Sequence, residues 1–176
     1  VYYYLLPSLP RLQLGAPAPI SRGELARRCR ELLPEEDARE VATALDGQID
    51  ALRSLAGRAW FDRETQLRNA VARRRAQALD TPPAPHLRRH GGYRVDVDAA
   101  VEAAFAESDP LRRERALDEL RWRLLGELEA IDRWGLPAVL AYGFRLLLAE
   151  RWAGFDTETG WAAVEGFLAT LEVAHA

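Results

Sequence analysis

Residues 109–154 read DPLRRERALDELRWRLLGELEAIDRWGLPAVLAYGFRLLLAERWAG. Asp109 followed by Pro110 is a helix start, because the Asp side chain accepts from unpaired backbone N–H groups and proline has no N–H to leave unpaired. Leu117, Leu120, Leu124, Leu128 and Ile131 then recur at steps of three and four, which lines them along one helical face. The stripe ends near Trp134-Gly135. Pro137 opens a second helix carrying Val139, Leu140, Phe144, Leu147, Leu148 and Trp152 inside, and Gly154 closes it. Two striped helices joined by a turn this short bury their stripes by packing antiparallel, so the stretch predicts an all-α fold.

The same signals continue outward. Ile20-Ser21-Arg22-Gly23-Glu24-Leu25 reads as a capping box with a hydrophobic staple, opening a helix to Leu33. Pro34, with Glu35, Glu36 and Asp37 behind it, opens the next, and Val41, Leu45, Ile49, Leu52 and Leu55 continue it to a stop at Gly57. A third helix is predicted from about Asp62 to Leu79, with Leu67, Val71 and Ala78 on its apolar side. TPPAPHLRRHGGY, residues 81–93, excludes regular helix and reads as a linker. Asp96 or Asp98 caps a short helix through Val101 and Phe105, and Asp156 or Thr157 starts a last one carrying Trp161, Val164, Phe167, Leu168 and Leu171. Only Tyr2–Leu6 and Tyr93-Arg94-Val95 look β-like. The expectation is about seven helices packed as antiparallel hairpins behind a short extended N-terminal segment. Residues 1–80 and 94–176 form two helical halves about the 81–93 linker, a division that also admits one compact domain. ALRSLAGRAWFD, residues 51–62, and FRLLLAERWAGFD, residues 144–156, read alike, as expected of related halves.

Composition narrows the function classes. In 176 residues, 48% hydrophobic and 29% charged content excludes a disordered tail, a collagen-like repeat and a disulfide scaffold. Apolar runs are too short to span a bilayer, and the opening has no basic start and meets Pro7 too early for a signal peptide. A single cysteine, Cys29, points to a reducing compartment. Together these predict a soluble intracellular protein. All 24 basic residues are arginine, and the net charge of −3 gives no overall attraction to nucleic acid. The charge is uneven: residues 58–90 hold eight arginines against Asp62, Glu64 and Asp80, a net of +5. Such a block is a candidate contact surface.

Catalytic signals are weak. His86 and His90 have i, i+4 spacing but lie between Pro85 and Gly91, without further ligands nearby. Cys29, flanked by Arg28 and Arg30, sits among Leu25, Leu32 and Leu33 and reads as a small buried thiol. A chain without lysine has no standard P-loop, and neither a dinucleotide turn nor a nucleophile elbow is present. Glu35, Glu36, Asp37, Glu127, Glu129 and Asp132 read as solvated or dipole-facing carboxylates. No cofactor, metal or catalytic residue is expected. The candidate protein-contact residues are Arg68, Arg73 and Arg75 in the basic block, and Trp134, Trp152 and Trp161 at helix ends in the C-terminal half.

Three stretches carry a resemblance. The opening YYYLLPSLPRLQLG looks like the start of an uncharacterised Tyr-rich-start bacterial family associated with V-type (A/V-type) rotary ATPases. Residues 136–168, LPAVLAYGFRLLLAERWAGFDTETGWAAVEGFL, resemble the helix pair of the C-type socket protein of V-type ATPases, the counterpart of the eukaryotic d-type one, with Pro137, Tyr142, Arg145, Glu150, Gly154 and Glu158 at matching positions. A weaker echo lies in Glu36-Asp37, Leu45-Asp46 and Leu52-Arg53. The C-type socket is longer and has three similar helical segments where this chain has room for about two. The resemblance implies a non-catalytic, cytoplasmic, peripheral ATPase component that sits on the membrane c-ring, receives the central shaft and couples ATP-driven rotation to proton or sodium transport. The competing expectation is a free-standing helical adaptor that binds a protein or anionic partner through the Arg-rich segment; a thiol or histidine enzyme ranks below both. On the socket reading, replacing Arg68, Arg73 and Arg75 together by Glu is expected to slow assembly with the other ATPase components and leave the fold and thermal midpoint little changed.

Overall fold

The computed structural model describes residues 1–154, and among them every regular element is helical. The seven α-helices are α1 (Tyr2–Ser8), α2 (Arg22–Leu32), α3 (Glu35–Leu45), α4 (Leu55–Ala78), α5 (Val95–Phe105), α6 (Pro110–Ile131) and α7 (Leu136–Ala153), with 3₁₀ turns at Ile49–Ala51 and Ala84–His86. The all-α expectation holds. The set of helices differs, because the expected helix from 156 onward lies outside the described residues and α1 stands where extended chain was expected.

Several starts form as their chemistry dictates. Ser21 accepts from the Glu24 N–H at 3.1 Å, and Asp109 accepts from the Leu111 N–H at 2.8 Å, with Pro110 at the first position of α6. The reciprocal half of the box is replaced: the Glu24 carboxylate takes Arg27 and Arg28 instead. Pro34 precedes α3 rather than entering it.

Four boundaries depart from expectation. α1 is helical because Leu5 is fully buried and the Tyr2 hydroxyl donates to Asp37 of α3, contacts that no local β preference can match. α3 stops at Leu45, since Gly47 turns the chain at φ +76, so Ile49, Leu52 and Leu55 do not continue it. α4 begins at Leu55, seven residues before Asp62, and Gly57 lies in its first turn instead of ending a helix. A Cβ on Gly57 would stand 2.5 Å from Glu40 Oε1 and 2.7 Å from Leu52 Cβ, so the turn closes only with glycine there. Finally, Arg94 is extended (φ −128, ψ 116) but immediately precedes α5, and Asp96 and Asp98 fall in its first turn rather than capping it.

α6 and α7 form the central antiparallel pair, and α3, α4 and α2 pack on α7 while α5 bridges α4 and α6. One continuous core runs through Leu25, Val41, Leu67, Val101, Leu124, Leu128, Leu140 and Leu146, and it takes residues from both sides of the 81–93 linker. Trp60 of α4 meets Phe144 of α7 at 5.1 Å between ring centroids. The two look-alike stretches occupy unlike places, one leading into the start of α4 and the other, over its described residues, forming the end of α7. No helix among the described residues is long and apolar enough to cross a membrane.

Candidate functional site

The basic block is tied into the fold by carboxylates, most of them from outside the block. Along α4, Arg68 pairs with Glu64 at 2.7 Å, Arg73 with Asp98 of α5 at 3.1 Å, Arg74 with Glu102 of α5 at 3.3 Å and Arg75 with Glu114 of α6 at 3.4 Å. All three consecutive arginines reach a carboxylate, because two neighbouring helices flank α4 and offer acids on different sides of it.

Behind Arg68 lies a buried ionic relay. Glu64 of α4 receives the Arg121 guanidinium of α6 through two hydrogen bonds, at 2.9 and 3.2 Å. Arg121 also gives Nη1 to Asp118 at 2.7 Å. Asp118 accepts from Arg151 Nη1 at 3.1 Å and Trp152 Nε1 at 2.8 Å, both from the end of α7. Arg151 passes on to Glu114 at 3.0 Å, and Glu114 meets Arg75 back on α4. Four guanidiniums thus share three carboxylates, of which Glu64 and Asp118 are buried. Burial works against the charge of Arg121, but Glu64 and Asp118 outweigh it and hold its pKa above the ordinary value. Sequence reading missed Glu64, Asp118 and Arg121. The available signals were the Glu64–Arg68 and Asp118–Arg121 spacings of four and three; Asp118 is moreover the neighbour of Leu117 on the stripe.

The outer side of this relay opens into a groove of about 420 Å³. Val71, Ala72 and Ala76 of α4, Leu117 of α6, Thr81 and His86 line it, with exposed Arg68 and Arg75, Glu114 and the more deeply set Arg121.

A second surface forms at the opposite end of α7. Tyr3 of α1 stacks on Trp134, with centroids 5.3 Å apart and planes 27° from parallel. Tyr3 and Tyr4 are 66% and 77% exposed, Trp134 is 49% exposed, and Val1 and Ile131 are exposed with them. Below the rings, the Tyr142 hydroxyl donates to the Pro10 carbonyl at 2.9 Å, and Leu6, Pro7, Leu9, Trp122 and Tyr142 line a groove of about 550 Å³. Burial raises the Tyr142 phenol to about 12. The candidate tryptophans are therefore not brought together. Trp134 precedes α7 and Trp152 ends it, roughly 27 Å apart along an 18-residue helix. Trp152 is half-buried under Arg115, 5.1 Å from its ring, and Trp161 lies outside the described residues.

Of the other expected carboxylates, those at the end of α6 are also engaged. Glu127 pairs with Arg94, Glu129 with Arg145 at 2.6 Å, and Asp132 accepts from the Trp134 N–H at 3.0 Å. His86 lines the Arg-rimmed groove, whereas His90 lies beside Gly91. Among the described residues no group of three or more His, Cys, Asp or Glu side chains stands close enough to hold a metal ion. Cys29 is buried, and desolvation lifts its thiol to about 11, the reverse of what a nucleophile needs.

A family described as protein of unknown function, DUF2764, matches residues 99–172, from within α5 through α6 and α7. No curated protein and no solved structure matches the chain.

Proposed function

We propose that this chain is a non-catalytic component of a V-type rotary ATPase, a C/d-like socket between the central shaft and the membrane c-ring. The observation that carries this reading is spatial. The Tyr-rich opening and the helix beginning Leu136-Pro137, the stretches on which the resemblance rests, are far apart in sequence yet join through Tyr142–Pro10, and beside that junction Tyr3 stacks on Trp134, two residues before the helix. Their junction leaves a cluster of large rings in solvent, and exposed tyrosine and tryptophan are the side chains that carry protein-interface energy. A torque-transmitting part also needs stiffness. Ion pairs that cross from α4 to α5 and α6, and from α7 to α6, supply it. In this role the chain works by holding partners, and the shaft or its neighbour covers the Tyr3–Trp134 face.

The test is recovery of the tagged chain from its native cells in mild detergent. Catalytic and shaft proteins of the rotary ATPase are expected with it. The Tyr3→Ala/Trp134→Ala variant is expected to lose them while keeping its helical circular dichroism. Recovery without any ATPase component overturns the assignment, and undiminished recovery with the double variant moves the interface elsewhere.

A further inference from the structure

The Arg-rimmed groove between α4 and α6 lies away from the Tyr3–Trp134 face, and its reading does not depend on the rotary-ATPase proposal. Residues 68, 71, 72, 75 and 76 occupy one face of α4, Leu79 follows directly at its C-cap, and all of them line the groove. From Arg68 to Leu79 that face runs about 16 Å, or three helical turns. Its middle is low, because Ala72 and Ala76 carry only methyl groups, while Leu117 of α6 closes the bottom. Leu79 projects at one end, 72% exposed. A trough of this length with small floor residues fits the apolar ridge of one helix.

The charges at the rim select which helix. Arg68 gives Nε to Glu64, and both of its Nη atoms have no hydrogen-bond partner among the described residues. Arg75 reaches Glu114 with Nη2 alone, at 3.4 Å, and its side chain is 63% exposed. The carboxylates that face them are already shared: Glu64 with Arg121, and Glu114 with Arg151. The relay therefore keeps one positive charge in excess, and its unsatisfied donors point outward. Guanidinium forks of this kind are completed by carboxylates. Arg68 and Arg75 are seven residues apart, two turns along α4, which matches acidic residues repeated along a helix laid beside it.

We infer that this groove is a docking site for an acidic amphipathic helix of another protein, with its apolar ridge on Val71, Ala72, Ala76 and Leu117 and its carboxylates on Arg68 and Arg75. The partner's acids complete the guanidiniums that Glu64 and Glu114 only partly satisfy. The ridge supplies affinity by burial, and the two arginines set register and charge sign.

The probe is a fluorescent 16-residue amphipathic peptide with leucine at i, i+4, i+7 and i+11 and glutamate on both flanks, compared with its lysine-flanked counterpart by anisotropy on the full chain. The glutamate peptide is expected to bind and the lysine peptide to bind at least tenfold more weakly. Arg68→Gln/Arg75→Gln is expected to weaken the glutamate peptide at least tenfold. Ala72→Trp, which fills the trough without altering charge, is expected to abolish binding, with circular dichroism confirming that both variants are folded. No binding, equal binding of the two peptides, or folded variants that bind like the wild type overturn the proposal. So does concentration-dependent self-association that Arg68→Gln/Arg75→Gln removes, since the groove is then occupied by a second copy of the chain.

Discussion

Asp118 has no exposed surface, yet three donors from two helices converge on its carboxylate. Removing it leaves the Arg121 guanidinium buried against Glu64 alone and the Trp152 N–H without this acceptor. Breaking a buried pair in this way costs about 3–5 kcal/mol. Asp118→Ala is expected to lower the thermal midpoint by about 2–4 °C per kcal/mol, and a midpoint at the wild-type value in calorimetry contradicts the relay. Gly57 gives a test of the opposite kind. Alanine there gains about 1 kcal/mol of helix propensity, but its methyl collides with Glu40, which is fixed by hydrogen bonds to the Arg53 and Ser54 N–H groups and the Ser54 hydroxyl. Overpacking costs about 1–3 kcal/mol, so Gly57→Ala is expected to shift the urea midpoint downward, and an upward shift sinks the account. Cys29 and Tyr142 contribute to the alkaline limb, together with Tyr2 and Tyr93, whose phenols the fold also raises. Burial lifts the thiol from its ordinary 9.0 to about 11 and the phenol from 10.0 to about 12. Near pH 7 the thiol and the Tyr142 phenol are protonated in folded and unfolded chains alike. Above it the unfolded chain loses protons that the folded one keeps, so stability falls as pH rises from about 9 toward 11 and 12. Urea midpoints measured across that range are expected to decline, with the first part of the decline absent in Cys29→Ala. The native thiol is expected to resist an aromatic disulfide reagent at pH 8 and to react on unfolding.

Among the helices, those with a chemical start were legible in the sequence. Ser21 and Asp109-Pro110 act through local geometry, which a sequence contains in full. α1 and the first turn of α4 were hidden because what holds them comes from elsewhere in the chain. Three successive tyrosines favour a strand in isolation, and only the burial of Leu5 and the reach of Tyr2 to Asp37 make them helical. Gly57 looks like a stop until Glu40 arrives from α3 to take the Ser54 N–H and hydroxyl. Ser54 in turn accepts from the Gly57 N–H at 2.9 Å. Ser54→Ala therefore loses the cap and one ligand of Glu40 together, and is expected to cost about 1–2 kcal/mol, more than Ser21→Ala, whose cap stands alone. Equal losses in paired denaturation curves contradict the long-range cap. The candidate sites divide in the same way. Trp134 was legible as a large ring at a helix end. Tyr3 as its stacking partner was not, because residues 3 and 134 meet only through the packing of α1 on α7.

At the scale of the molecule, sequence separated the basic residues 58–90 from an acidic remainder, and folding brings the two together. Arg68, Arg73 and Arg75 each face a carboxylate. The expectation that their joint reversal leaves the midpoint little changed is therefore replaced. Three glutamates there lose pairs worth about 0.2–1 kcal/mol each and set acid against Glu64, Asp98 and Glu114. The triple glutamate variant is expected to melt below the triple glutamine variant, with the gap narrowing in 1 M salt as screening shortens the reach of the repulsion. A gap that ignores salt contradicts the repulsion, since both variants lose the arginine stems alike.

The Tyr3–Trp134 stack also has an optical consequence. Trp60 is 3% exposed, and Trp122 and Trp152 are half-buried, so Trp134 is the one exposed indole among the described residues. Among the described indoles its emission lies furthest to the red and is the most open to a collisional quencher such as acrylamide. Any partner that settles on that face moves the emission to the blue and shelters it from the quencher. Occupancy of the surface is thus written into the intrinsic light of the unlabelled protein, with Trp134→Phe as the dark control.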